Sequence, residues 1–343
     1  MRVGHVRERH GPAGSPWRLA ASATLQGPWL DLERARRRLL AVDSRRAHNS
    51  ALFRRPLTTL DALLGSGFRI DALRELVEGI SDAGLDADGD LGLDEADLAF
   101  GPPVLQPPSF RDFYAFEQHV ATMWGRRGSE IPEAWYRLPI FYFSNVSELR
   151  GPGEPVWAPR GSSELDFELE IGAIVDTPAY NLSDDRAAEA IGGYCIVNDW
   201  SARDLQRDES TVRLGPAKGK DFALTVGPWI TTPDELADRW PAGATAPDLV
   251  ATVTVTGADG TTVEVSRGNW SVARYSFGQM LARASADVHV RPGELLASGT
   301  VGTGCLLEVK DQTLGRWLEP GDTVRLEIER LGALSTPIIA RPA

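Results

Sequence analysis

Residues 165–175 read Leu-Asp-Phe-Glu-Leu-Glu-Ile-Gly-Ala-Ile-Val, a stretch in which acidic and large apolar residues alternate. Alternation with a period of two predicts a β-strand, because successive side chains of an extended chain point to opposite faces. Phe167 and Leu169 then share one face, and Glu168 and Glu170 share the other. Two neighbouring carboxylates repel each other in a partly buried site unless a cation neutralises them or one of them is protonated. The segment alone therefore leaves two interpretations open, a site for a hard divalent metal or a strand with a solvated outer face.

The composition is that of an ordinary globular protein, since 42% of the 343 residues are hydrophobic and 24% are charged. A net charge of −12 without a cluster of Lys and Arg argues against nucleic acid or an anionic membrane as a partner. The two cysteines, Cys195 and Cys305, fit a reducing compartment and exclude a zinc site of the CxxC kind. No secretory leader and no membrane-spanning apolar stretch is visible, so we expect a soluble, cytoplasmic protein.

The chain divides at a proline-rich run. Gly101-Pro-Pro-Val-Leu-Gln-Pro-Pro108 cannot form a regular helix, because its four prolines lack amide donors and have a fixed φ. Before it, the pattern predicts a short strand near Trp17 and helices over 32–41 and 60–79. We therefore expect a small N-terminal α+β domain over residues 1–100, with no recognisable chemistry, and a larger domain over residues 101–343.

An acidic stretch in the first domain partly matches a calcium loop. Residues 86–92 read Asp-Ala-Asp-Gly-Asp-Leu-Gly. An EF-hand needs Gly at its sixth position and Glu at its twelfth, where this chain has Leu91 and Asp97. We interpret the stretch as a solvated acidic turn.

The sequence pattern beyond residue 108 predicts a β-rich domain, because short apolar or alternating runs are separated by glycine and proline. A hairpin is predicted from residues 249–255 and 261–265, a strand over 323–328, a helix over 277–286 and a strand over 288–290. His289 in the last of these is expected to be packed or at the surface rather than to bind a ligand.

Three polar segments do not look like ordinary surface. Asn198-Asp-Trp-Ser-Ala-Arg-Asp-Leu-Gln206 follows the apolar run 194–197, which places Asp199 at the end of a buried strand. Residues 214–222 supply lysine between glycines, and residues 110–119 supply an aspartate, a tyrosine and a histidine.

Taken together, these segments resemble the fumarylacetoacetate hydrolase family. The likeness extends from about residue 110 to residue 331, and the pair Glu168 and Glu170 and the segments 198–206, 219–222 and 291–300 occur in the family's order and spacing. The resemblance implies a β-rich α+β fold, in which a mixed β-sandwich roll follows a small N-terminal α+β domain. It also implies a homodimer.

The resemblance implies a metal site made of four carboxylates: Asp112, Glu168, Glu170 and Asp199. These residues match the family's ligands for Mg²⁺ or Ca²⁺, and Mn²⁺ is an alternative. Oxygen ligands suit hard cations and leave open positions for substrate oxygens. Taken alone, Asp112 would be interpreted as the cap of a nearby helix.

The resemblance also implies a base and a residue that orients it. His119 matches the general base of the family's hydrolases, and Glu308 matches the glutamate that orients this histidine. A neutral imidazole can take a proton from water, and a carboxylate on its other nitrogen fixes the tautomer and stabilises the imidazolium. Without that context, a histidine in an aromatic-rich helix would be interpreted as a core residue.

Further residues match the family's pocket. Arg203, Gln206 and Lys220 match a polar clamp around the reacting carbonyl and its oxyanion, whereas Lys218 has no counterpart and is expected to be solvated. Substrate contacts are implied for Tyr114, Tyr142, Thr300 and an arginine that is either Arg126 or Arg127.

The chain also departs from the family's fumarylacetoacetases. Ser210 stands where the animal enzymes have a tyrosine, which removes one contact to a substrate carboxylate, and the loop 119–145 differs in length and detail. Fumarylacetoacetate itself is therefore a doubtful substrate, while the reaction type is little affected.

The favoured function is metal-dependent hydrolysis of a carbon–carbon bond in a β-diketone acid, such as an acylpyruvate or an acylacetoacetate. An alternative on the same scaffold is decarboxylation, isomerisation or dehydration of a 2-oxo acid through a metal-held enolate, which does not need the pair His119 and Glu308. A third hypothesis is a non-catalytic metal-binding protein.

Overall fold

The computed structural model describes residues 1–12, 14–85 and 91–342. The strands in this part of the chain are β1 (Arg2–Glu8), β2 (Arg18–Ser22), β3 (Trp29–Asp31), β4 (Gly92–Leu93), β5 (Leu98–Phe100), β6 (Phe110–Phe113), β7 (Phe141–Ser144), β8 (Leu149–Arg150), β9 (Leu165–Asp166), β10 (Leu169–Val175), β11 (Ile191–Asp199), β12 (Ser201–Ala202), β13 (Leu224–Thr231), β14 (Val250–Thr256), β15 (Thr262–Asn269), β16 (Leu295–Ala297), β17 (Thr323–Ile328) and β18 (Gly332–Pro337).

The α-helices of the described residues are α1 (Leu32–Val42), α2 (Arg46–Asn49), α3 (Leu60–Gly65), α4 (Arg74–Asp82), α5 (Glu117–Arg126), α6 (Asp184–Ala188), α7 (Arg203–Val212), α8 (Phe277–Ala284) and α9 (Leu306–Val309). Short 3₁₀ segments lie between them, at Ala51–Arg54, Ile70–Leu73, Glu95–Asp97, Glu133–Tyr136, Pro233–Arg239, Trp270–Val272 and Lys310–Gln312. None of the described helices is both long and apolar enough to cross a bilayer.

A mixed sheet of twelve strands forms the centre of the molecule, in the order β4-β3-β2-β1-β13-β11-β10-β16-β6-β7, with β5 beside β1 and β8 beside β13. Most neighbours are antiparallel, whereas β16 and β6 are parallel. A second, antiparallel sheet has the order β15-β14-β17-β18, and β9 pairs with β12. The two large sheets and the helices confirm the predicted β-rich α+β fold.

Both faces of the central sheet are covered, which explains why β10 and β11 are buried along their whole length. Ile171 and Ile196 face a core shared with Val253 of the second sheet, so this side is a β-sandwich. Ile174 and Val197 face the other core, which the N-terminal helices cover. No solvated face remains for Glu170, and the interpretation of residues 165–175 as a strand with a solvated outer face is wrong.

Several local predictions are confirmed. The hairpin of β14 and β15, the strand β17 and the helix α8 lie where the alternation and the turn residues place them. The acidic turn predicted at residues 86–92 falls mostly outside the described residues.

Two predicted elements differ from the structure. The helix predicted over 60–79 is interrupted after α3, because Gly67 adopts a φ of +82° that ends the helical path before α4 begins. The strand predicted over 288–290 is reduced to a single bridge between Val290 and Ala179. His289 is exposed there and stacks on Tyr180 at a ring-centroid distance of 4.5 Å.

Sequence analysis missed the first strand, because the beginning of the chain is polar. β1 pairs with both β2 and β13 and is buried over most of its length. Arg2 lies 4.8 Å from the ring centroids of Trp29 and Trp229, so its charge is covered by aromatic faces. The central sheet is thus continuous between residues 1–100 and the rest of the chain, and the division into domains at residue 100 stays a prediction.

Gly299 shows how closely the strands that carry the site approach each other. It follows β16 with a φ of +79°, and a Cβ built there would clash with the carbonyl oxygen of Phe113 at the end of β6. We predict that Gly299→Ala lowers the free energy of unfolding by about 2–4 kcal/mol, since left-handed strain and overpacking add. Chemical denaturation measures the loss.

Gly128→Ala is the matched control for this substitution. Gly128 has a φ of +68°, but no atom lies within 4 Å of a built Cβ, so only strain of about 1 kcal/mol is expected. Equal losses at the two positions would contradict the role of the close backbone approach at Gly299.

Candidate active site

Four carboxylates converge from one region of the central sheet. Asp112 lies in β6, Glu168 directly precedes β10, Glu170 is the second residue of β10, and Asp199 ends β11. One carboxylate oxygen from each lies within 4.8 Å of those from the other three. Asp112 is therefore a strand residue of the cluster and not a helix cap, because α5 begins only at Glu117.

The backbone around Glu168 holds this geometry. The amide of Glu168 donates to the side chain of Asn198 at 2.9 Å, and the residue forms a bridge with Cys305. The register of β10 with β11 then places Leu169 opposite Asn198. These contacts fix the two acidic strand ends against each other.

Several carboxylate oxygens of the cluster have no partner among the described residues. Oδ1 of Asp112, Oδ1 of Asp199 and both oxygens of Glu170 are buried and accept no hydrogen bond. A buried carboxylate without a partner is costly, because burial removes its hydration. These atoms are the strongest sign that the cluster holds a further positive group.

The charge of the cluster is only partly balanced. Lys220 donates to Glu168 and, at 2.7 Å, to Asp199. Arg203 donates to Glu168 at 2.8 Å and to Asp166 at 2.7 Å. Five buried carboxylates thus share two cationic side chains. An excess of negative charge remains around the oxygens that have no partner.

The pKa values of the acids follow from this imbalance. Burial, reinforced by the neighbouring carboxylates, raises the pKa of Asp112 and of Glu170 well above the usual range. Burial likewise raises the pKa of Asp199. Burial alone would raise the pKa of Glu168, but Lys220 and Arg203 outweigh it and lower that pKa to about 2.

The donor set fits a hard divalent cation. All four groups supply oxygen, as Mg²⁺, Ca²⁺ and Mn²⁺ prefer, and the atoms without partners are those that an ion would satisfy. The cluster could therefore hold a divalent metal.

A second group of polar side chains lies beside the cluster. Nδ1 of His119 on α5 is 3.1 Å from Oε2 of Glu308 on α9, and both side chains are at most 5% exposed. Nδ1 is buried and has no hydrogen-bond partner among the described residues. The ring of Tyr114 stands edge-on to the imidazole at a centroid distance of 5.4 Å. The structure thus brings His119 and Glu308 together.

Asp166 connects the two groups, and sequence analysis missed it. Its carboxylate accepts hydrogen bonds from the backbone amides of Leu306 and Leu307 at 2.7 and 3.0 Å, at the start of the helix that carries Glu308. It also accepts a hydrogen bond from Nε of Arg203. Its position two residues before Glu168, on the same side of an extended chain, was the available signal.

Two of the three residues predicted to form the clamp are in contact. Nη1 of Arg203 donates to Oε1 of Gln206 at 3.0 Å, one turn further along α7. This contact occupies the carbonyl oxygen of Gln206 and leaves its amide group to donate elsewhere. Lys218, by contrast, is exposed and pairs with Asp221, which confirms that it is solvated.

A cavity of about 930 Å³ contains most of the predicted residues. Ten of the thirteen line it: Asp112, Tyr114, His119, Arg126, Tyr142, Glu168, Arg203, Gln206, Lys220 and Thr300. The other three, Glu170, Asp199 and Glu308, do not line the cavity.

Tyr142 contacts the carboxylate cluster directly. Its hydroxyl donates a hydrogen bond to Asp199 at 2.5 Å, so it supports a carboxylate of the cluster. Its pKa is raised well above the usual range, first by burial and then by nearby carboxylates.

Arginines surround the cavity. Arg126 and Arg127 both line it, so the structure does not choose between them. Two further lining arginines, which sequence analysis missed, are Arg207 in α7 and Arg213, which directly follows α7. Arg207 pairs with Glu164 at 2.6 Å. Ser210 also lines the cavity, but its hydroxyl donates to the backbone oxygen of Gln206.

Comparison with known proteins identifies the family. A family model for the C-terminal domain of fumarylacetoacetate (FAA) hydrolase matches residues 109–339. A 2,4-didehydro-3-deoxy-L-rhamnonate hydrolase from Sphingomonas sp. (strain SKA58) is 32% identical over 197 residues, which are 57% of this chain and 62% of that protein. A fumarylacetoacetase from Arabidopsis thaliana is 31% identical over 272 residues, with 63% of each chain covered. The chain thus spans somewhat less than two thirds of the length of these relatives.

The fold is shared with solved structures. A 5-carboxymethyl-2-hydroxymuconate delta-isomerase from Mycobacterium smegmatis superposes with a TM-score of 0.61 at 21% identity, and the match covers 99% of this chain and all of that one. At this identity the likeness concerns the fold alone. The family match over residues 109–339 and the relatives' sequence identities show that this chain belongs to the fumarylacetoacetate hydrolase family.

Proposed function

We propose that this protein is a metal-dependent hydrolase that cleaves a carbon–carbon bond in a β-diketo acid, such as an acylpyruvate or an acylacetoacetate. One observation carries the proposal: His119, with Glu308 3.1 Å behind it, lines the same cavity as two of the four clustered carboxylates. The two relatives described above are both named as hydrolases, which supports this choice.

Asp112, Glu168, Glu170 and Asp199 would hold the metal, for which we propose Mg²⁺, with Ca²⁺ and Mn²⁺ as alternatives. When bound, such an ion supplies Lewis-acid polarisation of a substrate carbonyl. Tyr142 and Lys220 hold Asp199 by hydrogen bonds at 2.5 and 2.7 Å, which fixes the position of this carboxylate.

His119 would act as the base that activates water. Nδ1 faces Glu308, so Nε2 is the nitrogen that takes the proton. The carboxylate of Glu308 then stabilises the imidazolium. The hydroxide adds to the carbonyl carbon, the carbon–carbon bond breaks, and the proton carried by His119 is returned to the departing carbon or its enol oxygen.

Arg203, Gln206 and Lys220 would stabilise the oxyanion that forms on attack. Arg203 is fixed by Asp166 and Glu168, and it in turn orients Gln206, so these two side chains are held in place before a substrate binds. A preorganised donor of this kind contributes roughly 3 kcal/mol to the transition state.

The cationic rim favours an acidic substrate. Arg126, Arg127 and Arg213 are exposed at the cavity, where they could attract and hold a carboxylate. Because Ser210 is turned to its own helix, fumarylacetoacetate itself is not our preferred substrate. The homodimer implied by the family stays a prediction.

The proposed metal ligands can be tested by measuring how much a metal ion stabilises the folded protein. We expect Mg²⁺ or Mn²⁺ to stabilise chelator-treated protein by about 2.7 kcal/mol at 100 times its Kd. Asp112 and Glu170 have raised pKa values in the folded state, so the metal-free protein loses stability as pH rises above the ordinary carboxyl range. The metal-dependent increase in Tm should therefore grow with pH, as thermal unfolding between pH 5 and 8 would show.

Glu170→Gln should remove most of this increase and flatten the pH dependence of the metal-free protein. Glu294→Gln is the control, because Glu294 is also buried but has its own partners in Arg111 and Ser109. Full metal stabilisation of Glu170→Gln would rule out this ligand set.

The base can be tested separately from the metal. His119→Ala should lower kcat by about 10²–10⁴-fold, because a general base contributes about this much. The metal-dependent shift in Tm should stay as in the unaltered protein. His289→Ala serves as the control, since His289 is exposed, stacks on the Tyr180 ring and does not line the cavity. Undiminished hydrolysis by His119→Ala would remove the assignment.

Product analysis distinguishes the reaction types. A panel of acylpyruvates and other diketo acids, incubated with protein and Mg²⁺ in ¹⁸O-labelled water, should yield a new carboxylate with one solvent oxygen. Release of carbon dioxide or an isomer without label would favour the decarboxylase or isomerase alternative. Metal binding without turnover of any substrate would favour a non-catalytic protein.

A further inference from the structure

A second set of metal-ligand donors lies beside the carboxylate cluster. His119, Cys305 and Glu308 each place one donor atom within 4.8 Å of the other two, and among the described residues they form a group separate from the four carboxylates. Sγ of Cys305 lies 3.7 Å from Oε2 of Glu308, and Nδ1 of His119 lies 3.1 Å from the same oxygen. The proposed reaction gives Cys305 no task.

The local fold explains why these three residues meet. Cys305 is the residue before α9 and Glu308 is three positions later, so both point to one side of this helical turn. Helix α5 packs against α9 and contributes His119. The amides of Leu306 and Leu307 are held by Asp166, which fixes the start of α9.

The observed spacings suit a tetrahedral ion. With ordinary zinc bond lengths to nitrogen, sulfur and oxygen, tetrahedral angles place nitrogen and oxygen about 3.4 Å apart and sulfur and oxygen about 3.6 Å apart. The distances of 3.1 and 3.7 Å are within a few tenths of an ångström of these values. Two of the three donor separations are thus close to those of a tetrahedral site, and the third is at most 4.8 Å.

A second observation points to a ligand. His119 is only 4% exposed, and its buried Nδ1 has no hydrogen-bond partner among the described residues. The imidazole also lines the cavity, which gives an ion a route to the site. Three protein donors would leave a fourth position for water or a substrate atom.

We propose that His119, Cys305 and Glu308 form a second, thiophilic metal site that binds Zn²⁺ and thereby inhibits the enzyme. Binding forms bonds from the metal to Sγ of Cys305, Nδ1 of His119 and a carboxylate oxygen of Glu308, and the thiol proton passes to solvent. The proton on Nδ1 moves to Nε2, so Nε2 can no longer accept a proton from water and His119 can no longer serve as a base. The four carboxylates supply only oxygen and keep their preference for a hard cation. The inhibition rests on the proposed function, whereas the binding does not.

Binding can be measured without any substrate. Co²⁺ is added to protein that is saturated with Mg²⁺, and absorption is recorded for a thiolate-to-cobalt charge-transfer band. The unaltered protein should show this band, Zn²⁺ should abolish it, and Cys305→Ser should lack it. Because the chain has only two cysteines, Cys195→Ala is the matched control and should keep the band. If Cys305→Ser fails to fold, persistence of the band in Cys195→Ala still assigns it to Cys305.

Inhibition is measured on whichever substrate the protein turns over with Mg²⁺. We expect Zn²⁺ to inhibit the unaltered protein, and Cys305→Ser to need at least about tenfold more Zn²⁺ for half inhibition. No thiolate band, a band lost in Cys195→Ala, or equal inhibition of Cys305→Ser and the unaltered protein would overturn the proposal. Absence of turnover on every substrate would refute the proposed function and leave the cobalt result to decide the site.

Discussion

The site depends on the close approach of carboxylates that the central sheet buries. Five of them share Lys220 and Arg203, so the negative charge exceeds what the described side chains neutralise. Like charges at these distances are tolerated in a low-dielectric interior only when protons or cations balance them. The raised pKa of Asp112 and of Glu170 favours neutralisation by protons. A bound divalent ion would neutralise the same carboxylates without protons.

Arg203 and Asp166 extend this constraint to the base. Arg203 contacts Glu168 on one side and orients Gln206 on the other. Asp166 links the guanidinium to the first amides of α9, the helix that carries Glu308. Hydrogen bonds therefore connect three groups: the carboxylate cluster, the pair Arg203 and Gln206, and the start of α9. A shift of β9 would disturb all three, because Asp166 lies in that strand.

The centre of the cavity differs from its rim. Asp112, His119 and Arg203 are buried, whereas the rim consists of longer, exposed side chains such as Arg126, Arg127 and Arg213. The hydroxyl of Ser210 is hydrogen-bonded to the backbone oxygen of Gln206 in its own helix, although the residue lines the cavity.

The sequence by itself determined the elements whose signal is local, such as the alternation around Glu168, the hairpin of β14 and β15 and the capped helix α8. Through its resemblance it also named the residues that the fold brings together, from Asp112 to Glu308. Only the tertiary structure decided the burial of β1, the break after α3, the linking role of Asp166 and the placement of Cys305 beside His119. Periodicity reports which face of one segment is apolar, but these features depend on contacts between segments that are distant in the chain, and no local pattern encodes such contacts.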